Sequence, residues 1–447
     1  MKKIKFYLVF FLAKTTSLVI NKFFPKKGTQ LPGLIAVDLC DDFLKYIDRP
    51  KKIIAITGTN GKTTTSNIIN QVFIANKYKV VHNAEGSNMR AGIASVLIKN
   101  CSFTGKIKAD LGIFEVDERG AYKVFKYLKP DYLICTNLFR DSIKRNGHAE
   151  FVLKKLKEND FSKTTLILNA DDLISSQLNQ NKSVFFGIEK TNLKSLNNIV
   201  NDISNCPVCQ SKLIVDYNHY YHIGKYHCPN CKFKSPSKDF IGKLDLKKNI
   251  LTIKNKDEKI TYNLFQDNIY NAYNLLAAVT LFKTFGLTDQ QIKKGLKNVT
   301  APKTRYEKIT NNNLEIISLL SKNQNPISTS LTLDYISQLD GDKTLIFMIT
   351  DIKTKKHKTE DTSWLYDTDF EFLNKSNIKQ IICCGERCYD LNLRLKLAGI
   401  KENVIITNES YDNIKNLIDY NNKKIIILSA LYSLKKADKL KKELRGE

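Results

Sequence analysis

A chain of 447 residues exceeds one ordinary hydrophobic core and predicts two or three domains, and its 42% apolar content suffices to fold them. Against 45 Asp and Glu stand 71 Lys and Arg; the formal charge of +26 suits nucleic acid, an anionic membrane surface or an acidic substrate, or else reflects biased usage, since Lys, Asn and Ile are abundant throughout. No compact Arg/Lys block interleaved with aromatics marks a nucleic-acid footprint.

Residues 1–48 read as a lead-in segment. Its start, MKKIKFYLVFFLAKTTSLVINKFFPKKG, imitates a signal sequence, with a basic beginning and an apolar run from Phe6 to Ala13. Eight residues ahead of Lys14 are too few to span a bilayer, and no small-residue cleavage site follows cleanly. The segment is expected as an amphipathic helix that packs on the body or touches the inner leaflet, in a cytoplasmic protein.

Residues 49–300 show the βα rhythm. Lys52–Ile56, Lys79–His82, Leu111–Val116, Tyr132–Cys135 and Thr165–Leu168 read as near-continuous apolar strands of a buried, mostly parallel sheet, and Thr64–Ala75 reads as a helix. Between about residues 204 and 236 a cysteine-bearing insertion breaks the rhythm. Leu244–Leu246, Ile250–Ile253 and Lys259–Tyr262 alternate like antiparallel strands, and Tyr270–Phe282 resumes a helix. A second βα series occupies residues 301–447, with strands Thr344–Ile349, Ile378–Cys384, Val404–Thr407 and Lys424–Leu428, a separate C-terminal α/β domain.

Between the first strand and the first helix lies IAITGTNGKTTT, Ile54 to Thr65. Backbone N–H groups of a glycine loop that feeds a helix N-terminus cradle anions, a lysine neutralises phosphate charge, and the next hydroxyl can ligate Mg²⁺. Thr59, Asn60, Gly61 and Thr64 line such a cradle, with Lys62 and Thr63 in the lysine and hydroxyl roles. Ile56 replaces the first glycine of the common G-x-x-x-x-G-K-[ST] pattern.

The wording of this loop resembles the Mur ligase superfamily, ATP-dependent enzymes that build the peptide stem of bacterial cell-wall precursors. FEVDE with Glu115, TNLFRD (Thr136–Asp141), LNADD (Leu168–Asp172) and YNAYNLLAA (Tyr270–Ala278) follow in the same order. The resemblance implies that Glu115 helps hold Mg²⁺, that Asn271 reads the adenine, and that Arg305 reaches back to the phosphates.

Cys206-x2-Cys209 and Cys228-x2-Cys231, with 18 residues between the pairs, have the spacing of a four-thiolate zinc ribbon. Its expected job is structural, with direct nucleic-acid contact as the other reading. Cys40, Cys101, Cys135, Cys383, Cys384 and Cys388 lie mostly in apolar runs and are expected as buried, reduced thiols. The ribbon, together with TQLPG (Thr29–Gly33), NAEGSNM (Asn83–Met89) and DTSWLYDTDFE (Asp361–Glu371), resembles the MurT family, the synthetase subunits of lipid II isoglutaminyl synthases. That resemblance runs from Thr29 to about Leu428.

It implies amidation. A GatD-type glutaminase partner supplies ammonia, and this subunit uses ATP to activate the D-glutamate α-carboxyl of lipid II as an acyl phosphate, which ammonia converts to D-isoglutamine. No nucleophilic Cys with a convincing His partner occurs among the ten cysteines and six histidines, so ammonia must come from elsewhere. The resemblance implies that Asp361 completes the partner's Cys-His pair across the interface; the bland reading is a helix N-cap. Asp351 reads either as a substrate or Mg²⁺ contact or as a strand-end cap. Departures from the family pattern gather in the C-terminal domain: Lys358-Thr359-Glu360 before Asp361, Gln324 and Asn325 after Lys322-Asn323, and Thr304 before Arg305. A stand-alone amino-acid ligase and a nucleic-acid-dependent ATPase are the competing functions.

Overall fold

The computed structural model describes residues 2–24, 30–83, 87–141, 147–180, 182–193, 198–256, 258–265, 267–297, 299, 306–311, 314–320, 325–351, 359, 361–430 and 432–446. Two compact units emerge: Met1–Phe139 with Ala149–Asn197 and Asn201–Val299, and Thr300–Glu447 with Arg140–His148 and Asn198–Val200.

Unit one starts with α1 (Lys2–Phe23), α2 (Leu31–Leu39) and the single turn α3 (Phe43–Tyr46). The apolar start is therefore not an eight-residue stretch stopped by Lys14 but one helix of 22 residues that runs through it. Lys14 is tolerated because its Nζ donates to the carbonyls of Ile98 (3.0 Å), Lys99 (3.0 Å) and Cys101 (2.6 Å), 84 to 87 residues away.

There follow β1 (Lys52–Thr57), α4 (Lys62–Ala75), β2 (Val80–His82), α5 (Arg90–Asn100), β3 (Leu111–Glu115), α6 (Ala121–Phe125), β4 (Tyr132–Cys135), α7 (Ala149–Lys157), β5 (Thr165–Asn169) and β6 (Ser183–Ile188). The Lys14 carbonyl partners thus close the C-terminal end of α5, where exposed C=O groups and the helix dipole favour a cation. Next come the hairpin β7 (Ile214–Tyr220) and β8 (Ile223–His227), the strands β9 (Phe240–Asp245), β10 (Ile250–Asn255) and β11 (Glu258–Asn263), and the helices α8 (Ile269–Phe285) and α9 (Asp289–Leu296).

Among the described residues the main sheet runs β2-β3-β1-β4-β5-β6-β9-β10-β11, parallel from β2 through β9 and antiparallel beyond. Strand β9 begins earlier than its alternation suggests because Phe240 to Gly242 pair in parallel with β6, Ile241 and Gly242 pairing with β10 on the other side as well. All five residues of β3 are buried, as expected for a strand covered on both faces. Ile53 and Ala55 of β1 join the core under α1, α2 and α5 to α7. On another side of the core, Phe73 of α4 meets Phe282 and Phe285 of α8 edge to face at 5.6 and 4.9 Å. The chain leaves β1 for β2 and β3 on one side and returns to β4 on the other, so the C-terminal end of β1 is a topological switch point, where such sheets open a crevice.

Unit two contains β12 (Tyr306–Asn311), β13 (Leu314–Leu320), α10 (Pro326–Gln338), β14 (Lys343–Met348), β15 (Ile378–Cys384), α11 (Cys388–Leu397), β16 (Ile405–Asn408), β17 (Lys424–Ser429) and α12 (Leu434–Arg445). Its sheet order is β12-β13-β17-β14-β15-β16, antiparallel only between β12 and β13. Successive residues of β14 and β17 enter two different cores, Leu345 and Ile426 in one and Ile346 and Ile427 in the other, so helices cover both faces. Both units are α/β.

Candidate active site

At the switch point, β1 runs into Gly58 at φ +125° and Gly61 at φ +85°, conformations that L side chains rarely adopt. Space is short as well: at Gly58 a Cβ would lie 2.2 Å from Thr136 Oγ1 and 2.9 Å from the Asn137 carbonyl, and at Gly61 it would displace the Asn274 amide, whose Oδ1 lies 2.2 Å away. Because N-cap Gly61 has no side chain, nothing caps the first turn of α4, and its N–H groups stay available to an anion.

The segment after β4 holds the loop. Thr59 N–H donates to Asn137 O at 2.9 Å, and the Asn137 amide clasps the Asn60 backbone, accepting its N–H at 3.0 Å and donating to its carbonyl at 3.2 Å. Thr136 Oγ1 donates to Asn60 O at 2.6 Å, and Phe139 N–H to Thr59 Oγ1 at 2.9 Å. The buried Asn60 Nδ2 lacks a partner, a spare donor within the cradle.

Two carboxylates serve the start of α4. Glu115, ending β3, accepts from Thr63 Oγ1 at 3.0 Å and Ser66 Oγ at 2.7 Å, while Asn83 pairs with the Glu115 backbone in both directions at 2.8 Å. Hydroxyl and carboxylate oxygens are the hard donors that Mg²⁺ takes, so this set fits the metal. Lys62 Nζ donates to Glu118 Oε1 at 2.7 Å and to Gly58 O, and both partners of this ion pair are buried. Burial alone would lower the Lys62 pKa; Glu118, with smaller contributions from Asp117 and Glu115, outweighs it and holds the ammonium above its ordinary value. Burial pushes Glu118 up, against the pull of Lys62.

Behind the loop, LNADD supplies wholly buried acceptors. Asp172 takes the N–H of Leu138 at 2.7 Å and of Ile174 at 2.9 Å, and faces His222 Nε2 at 3.1 Å. Asp171 takes the N–H of Ile188 at 2.7 Å and the Tyr273 hydroxyl at 2.8 Å, and pairs with Lys238 at 2.7 Å. His222 sits in the turn between β7 and β8, so the insertion reaches under the nucleotide loop. Asn271 lies in the first turn of α8, its N–H and Nδ2 both 2.9 Å from N-cap Asn268 Oδ1. One turn on, Asn274 accepts from Thr65 Oγ1 at 3.4 Å.

The four ribbon cysteines converge, their sulfurs all within 4.8 Å of one another, with Cys206 to Cys231 at 3.6 Å and Cys209 to Cys228 at 3.4 Å. A tetrahedral zinc with Zn–S near 2.3 Å asks for sulfurs about 3.8 Å apart, so the cluster fits the ion. Val208 N–H and Phe233 N–H point at Cys206 and Cys231 sulfur, both at 3.4 Å, stabilising thiolate charge.

In unit two, Asp361 accepts the N–H of Ser363 at 3.0 Å ahead of a single 3₁₀ turn, Ser363–Leu365. Asp351 follows β14, its carboxylate 3.4 Å from Arg387 Nε. Arg305, Lys322 and Asn323 lie outside the described residues. The structure therefore gathers Thr59 to Thr64 and Glu115 into one site at the end of β1, with Asn271 one helical turn from Asn274. Sequence reasoning missed Glu118, Ser66, Asn83, Asn274 and His222. Ser66, one helical turn beyond Thr63, was within reach of a periodicity argument; the others depend on loops and on distant chain.

A family model described as the Mur ligase middle domain matches residues 56–282, and one described as the MurT ligase C-terminal matches residues 320–434. The lipid II isoglutaminyl synthase (glutamine-hydrolyzing) subunit MurT of Staphylococcus aureus (strain COL) is 35% identical, covering 92% of this chain and 91% of its own. The subunit of the same name from Streptococcus pneumoniae (strain ATCC BAA-255 / R6) is 27% identical, covering 91% of this chain and 90% of its own. Among solved structures, a pseudomurein peptide ligase type C from Methanothermus fervidus superposes at TM-score 0.68 with 20% identity, over 94% of this chain and 85% of that one. The MurF ligase of Thermotoga maritima in complex with ADP gives 0.57 with 13% identity, over 92% and 82%. The loop geometry, the cysteine cluster and the match along nearly the whole length agree: this chain belongs to the MurT family of Mur ligases.

Proposed function

We propose that the chain is the synthetase subunit of a glutamine-hydrolysing lipid II isoglutaminyl synthase, amidating the α-carboxyl of D-glutamate in the stem peptide. What carries the reading is one arrangement, a glycine cradle at a switch point with Lys62 and a Thr63–Glu115–Ser66 oxygen set, in a chain alike to MurT subunits along nearly its whole length.

A carboxylate is a poor acyl donor, so activation comes first. A carboxylate oxygen attacks the γ-phosphorus of ATP and ADP leaves; ammonia then attacks the acyl carbon, phosphate departs with its C–O electron pair, and the nitrogen sheds a proton. The loop N–H groups and Lys62 bind the phosphates and offset charge on the transferring group, with Glu118 keeping the ammonium charged and aimed. Thr63 and Glu115 would hold Mg²⁺, which would supply neutralisation of phosphate charge during the transfer. Asn271 contacts the adenine and Arg305 the phosphates. The four thiolates hold a structural zinc, keeping the β7–β8 hairpin folded so that His222 reaches Asp172. Ammonia comes from a GatD-type glutaminase, whose catalytic imidazole Asp361 orients. A lipid-linked substrate places the work in the cytoplasm at the inner membrane surface, and residues 1–48, 49–300 and 301–447 form the lead-in, ATP-binding and partner-facing parts.

The test is to incubate the purified chain with lipid II, Mg·ATP and concentrated ammonium at alkaline pH, and follow carboxyl-to-amide conversion by mass spectrometry. Conversion that vanishes in Lys62→Ala is expected. No conversion, either with ammonium or with glutamine and a co-expressed glutaminase, while ATP still binds, overturns the reading.

A further inference from the structure

Helix α1 is apolar on both sides, and only one side is covered. Phe6, Val9, Phe10, Ala13 and Ser17 are buried against unit one, with the Phe6 ring 5.1 Å from that of Phe43. The opposite face shows Ile4, Leu8, Phe11, Leu12, Val19 and Phe23 at 48 to 69% exposure. At 3.6 residues per turn these six fall within an arc of roughly 120°. Only Thr15 interrupts this arc between Leu12 and Val19, its hydroxyl bonded back to the Phe11 and Leu12 carbonyls at 2.9 Å. A helix apolar all round is ordinarily covered all round, and an exposed apolar stripe marks an interaction surface.

We propose that this stripe seats in the interfacial layer of an anionic bilayer, with α1 lying in the membrane plane. Three observations select that occupant. First, α1 carries no acidic residue, and exposed Lys3, Lys5 and Lys22 bracket the stripe at its two ends, where lipid phosphates would meet them. A second copy of the chain on the same face would bring those lysines together without counter-charge. Second, α2, packed on α1, leaves Leu31 and Leu34 exposed as well, adding apolar surface beside it. Third, the helix is fixed for lying rather than spanning. By length and composition Lys3–Phe23 could cross a bilayer, with mean hydropathy 1.3, yet insertion would strip Phe10 and Ala13 from the core and Lys14 Nζ from three carbonyls. Those carbonyls anchor the helix to the body and leave its outer face for lipid. The inference rests on exposure and charge, and it agrees with the lipid-linked substrate proposed above without depending on it.

The full chain is floated with vesicles lacking lipid II, made of zwitterionic lipid alone or with about one third anionic lipid. Flotation with the anionic vesicles, weakened by salt and released by alkaline carbonate, is expected. The double variant Leu8→Ser/Phe11→Ser should partition at least about tenfold less while its melting temperature falls by no more than a few degrees, since Leu8 is 69% exposed and Phe11 48% exposed, its ring touching only that of Phe10 among the aromatic contacts of the described core. Lys3→Glu/Lys5→Glu should lose the anionic preference. Failure of the wild type to float, equal flotation of the Ser variant, or retention after carbonate, which means spanning, overturns the proposal. Because no lipid II is present, failure here and failure of the amidation assay are separate results.

Discussion

Asp172→Asn tests whether the ribbon insertion supports the nucleotide loop. The Asp172 carboxylate is wholly buried and has three partners: Leu138 N–H at 2.7 Å, Ile174 N–H at 2.9 Å and His222 Nε2 at 3.1 Å. Asparagine keeps one oxygen and turns an amide group toward a donor. One hydrogen bond to a charged group is lost, worth about 1.5–3 kcal/mol, and a buried donor is left unsatisfied for about 1–3 kcal/mol more. A loss of about 3–5 kcal/mol lowers the melting temperature by about 10 °C for a unit of this size. Leu138 adjoins Asn137, which clasps Asn60, so Mg·ADP affinity measured by calorimetry should fall about tenfold as the cradle loosens. His222→Gln, perturbing the same pair from the insertion side, should shift both readouts in the same direction by less. A variant that melts within about 2 °C of wild type and binds nucleotide normally would refute the coupling between hairpin and loop.

Gly61→Ala should abolish detectable nucleotide binding in the same calorimeter, because its Cβ meets Asn274 Oδ1 at 2.2 Å and its φ of +85° is left-handed, about 1–2 kcal/mol of strain before any clash. Metal analysis should find one zinc per chain, and Cys206→Ser should lose it together with several degrees of thermal stability; retention of full metal content in that variant counts against a four-thiolate site. Burial holds His82 and His219 below the ordinary histidine value, so near pH 6 the folded chain binds fewer protons than the unfolded one. Stability is then complete above about pH 7 and falls as pH drops through about 6.5, a slope that His219→Gln should flatten in melts taken from pH 8 to 5. Asp361→Asn keeps the acceptor for Ser363 N–H, so ammonium-driven amidation should persist while glutamine-driven amidation with the glutaminase falls at least about a hundredfold; equal loss of both would remove Asp361 from the partner's site.

What the sequence made legible was local. The strand Lys52–Thr57, the glycines and Lys62 are consecutive, so periodicity and turn chemistry locate them. The cysteine tetrad was readable because ribbon ligands come as two short pairs. What stayed hidden was non-local. Lys14 looked like the end of an apolar run because its three acceptors lie beyond residue 97, and a charge with no visible partner reads as solvent-facing. Glu118 stands only three residues after Glu115, yet nothing in VDERG says that the chain bends back onto Lys62 there. His222 carried no signal, since its partner Asp172 is 50 residues earlier and the insertion that carries His222 looked self-contained.

The tether between Lys14 and the end of α5 also sets an order of events during synthesis. Its most distant acceptor, Cys101 O, is 87 residues downstream. At roughly 5–20 residues per second the ribosome needs about 4–17 s to deliver that carbonyl after Lys14 has been made. For that interval Phe6, Val9, Phe10 and Ala13 have at most α2 and Phe43 to pack against, the α5 side of their core being still unmade, and the nascent chain presents a helix whose inner face is only partly covered. The newborn protein is thus more lipophilic than the finished one, and whichever chaperone or bilayer meets it first competes with its own fold for the same side chains.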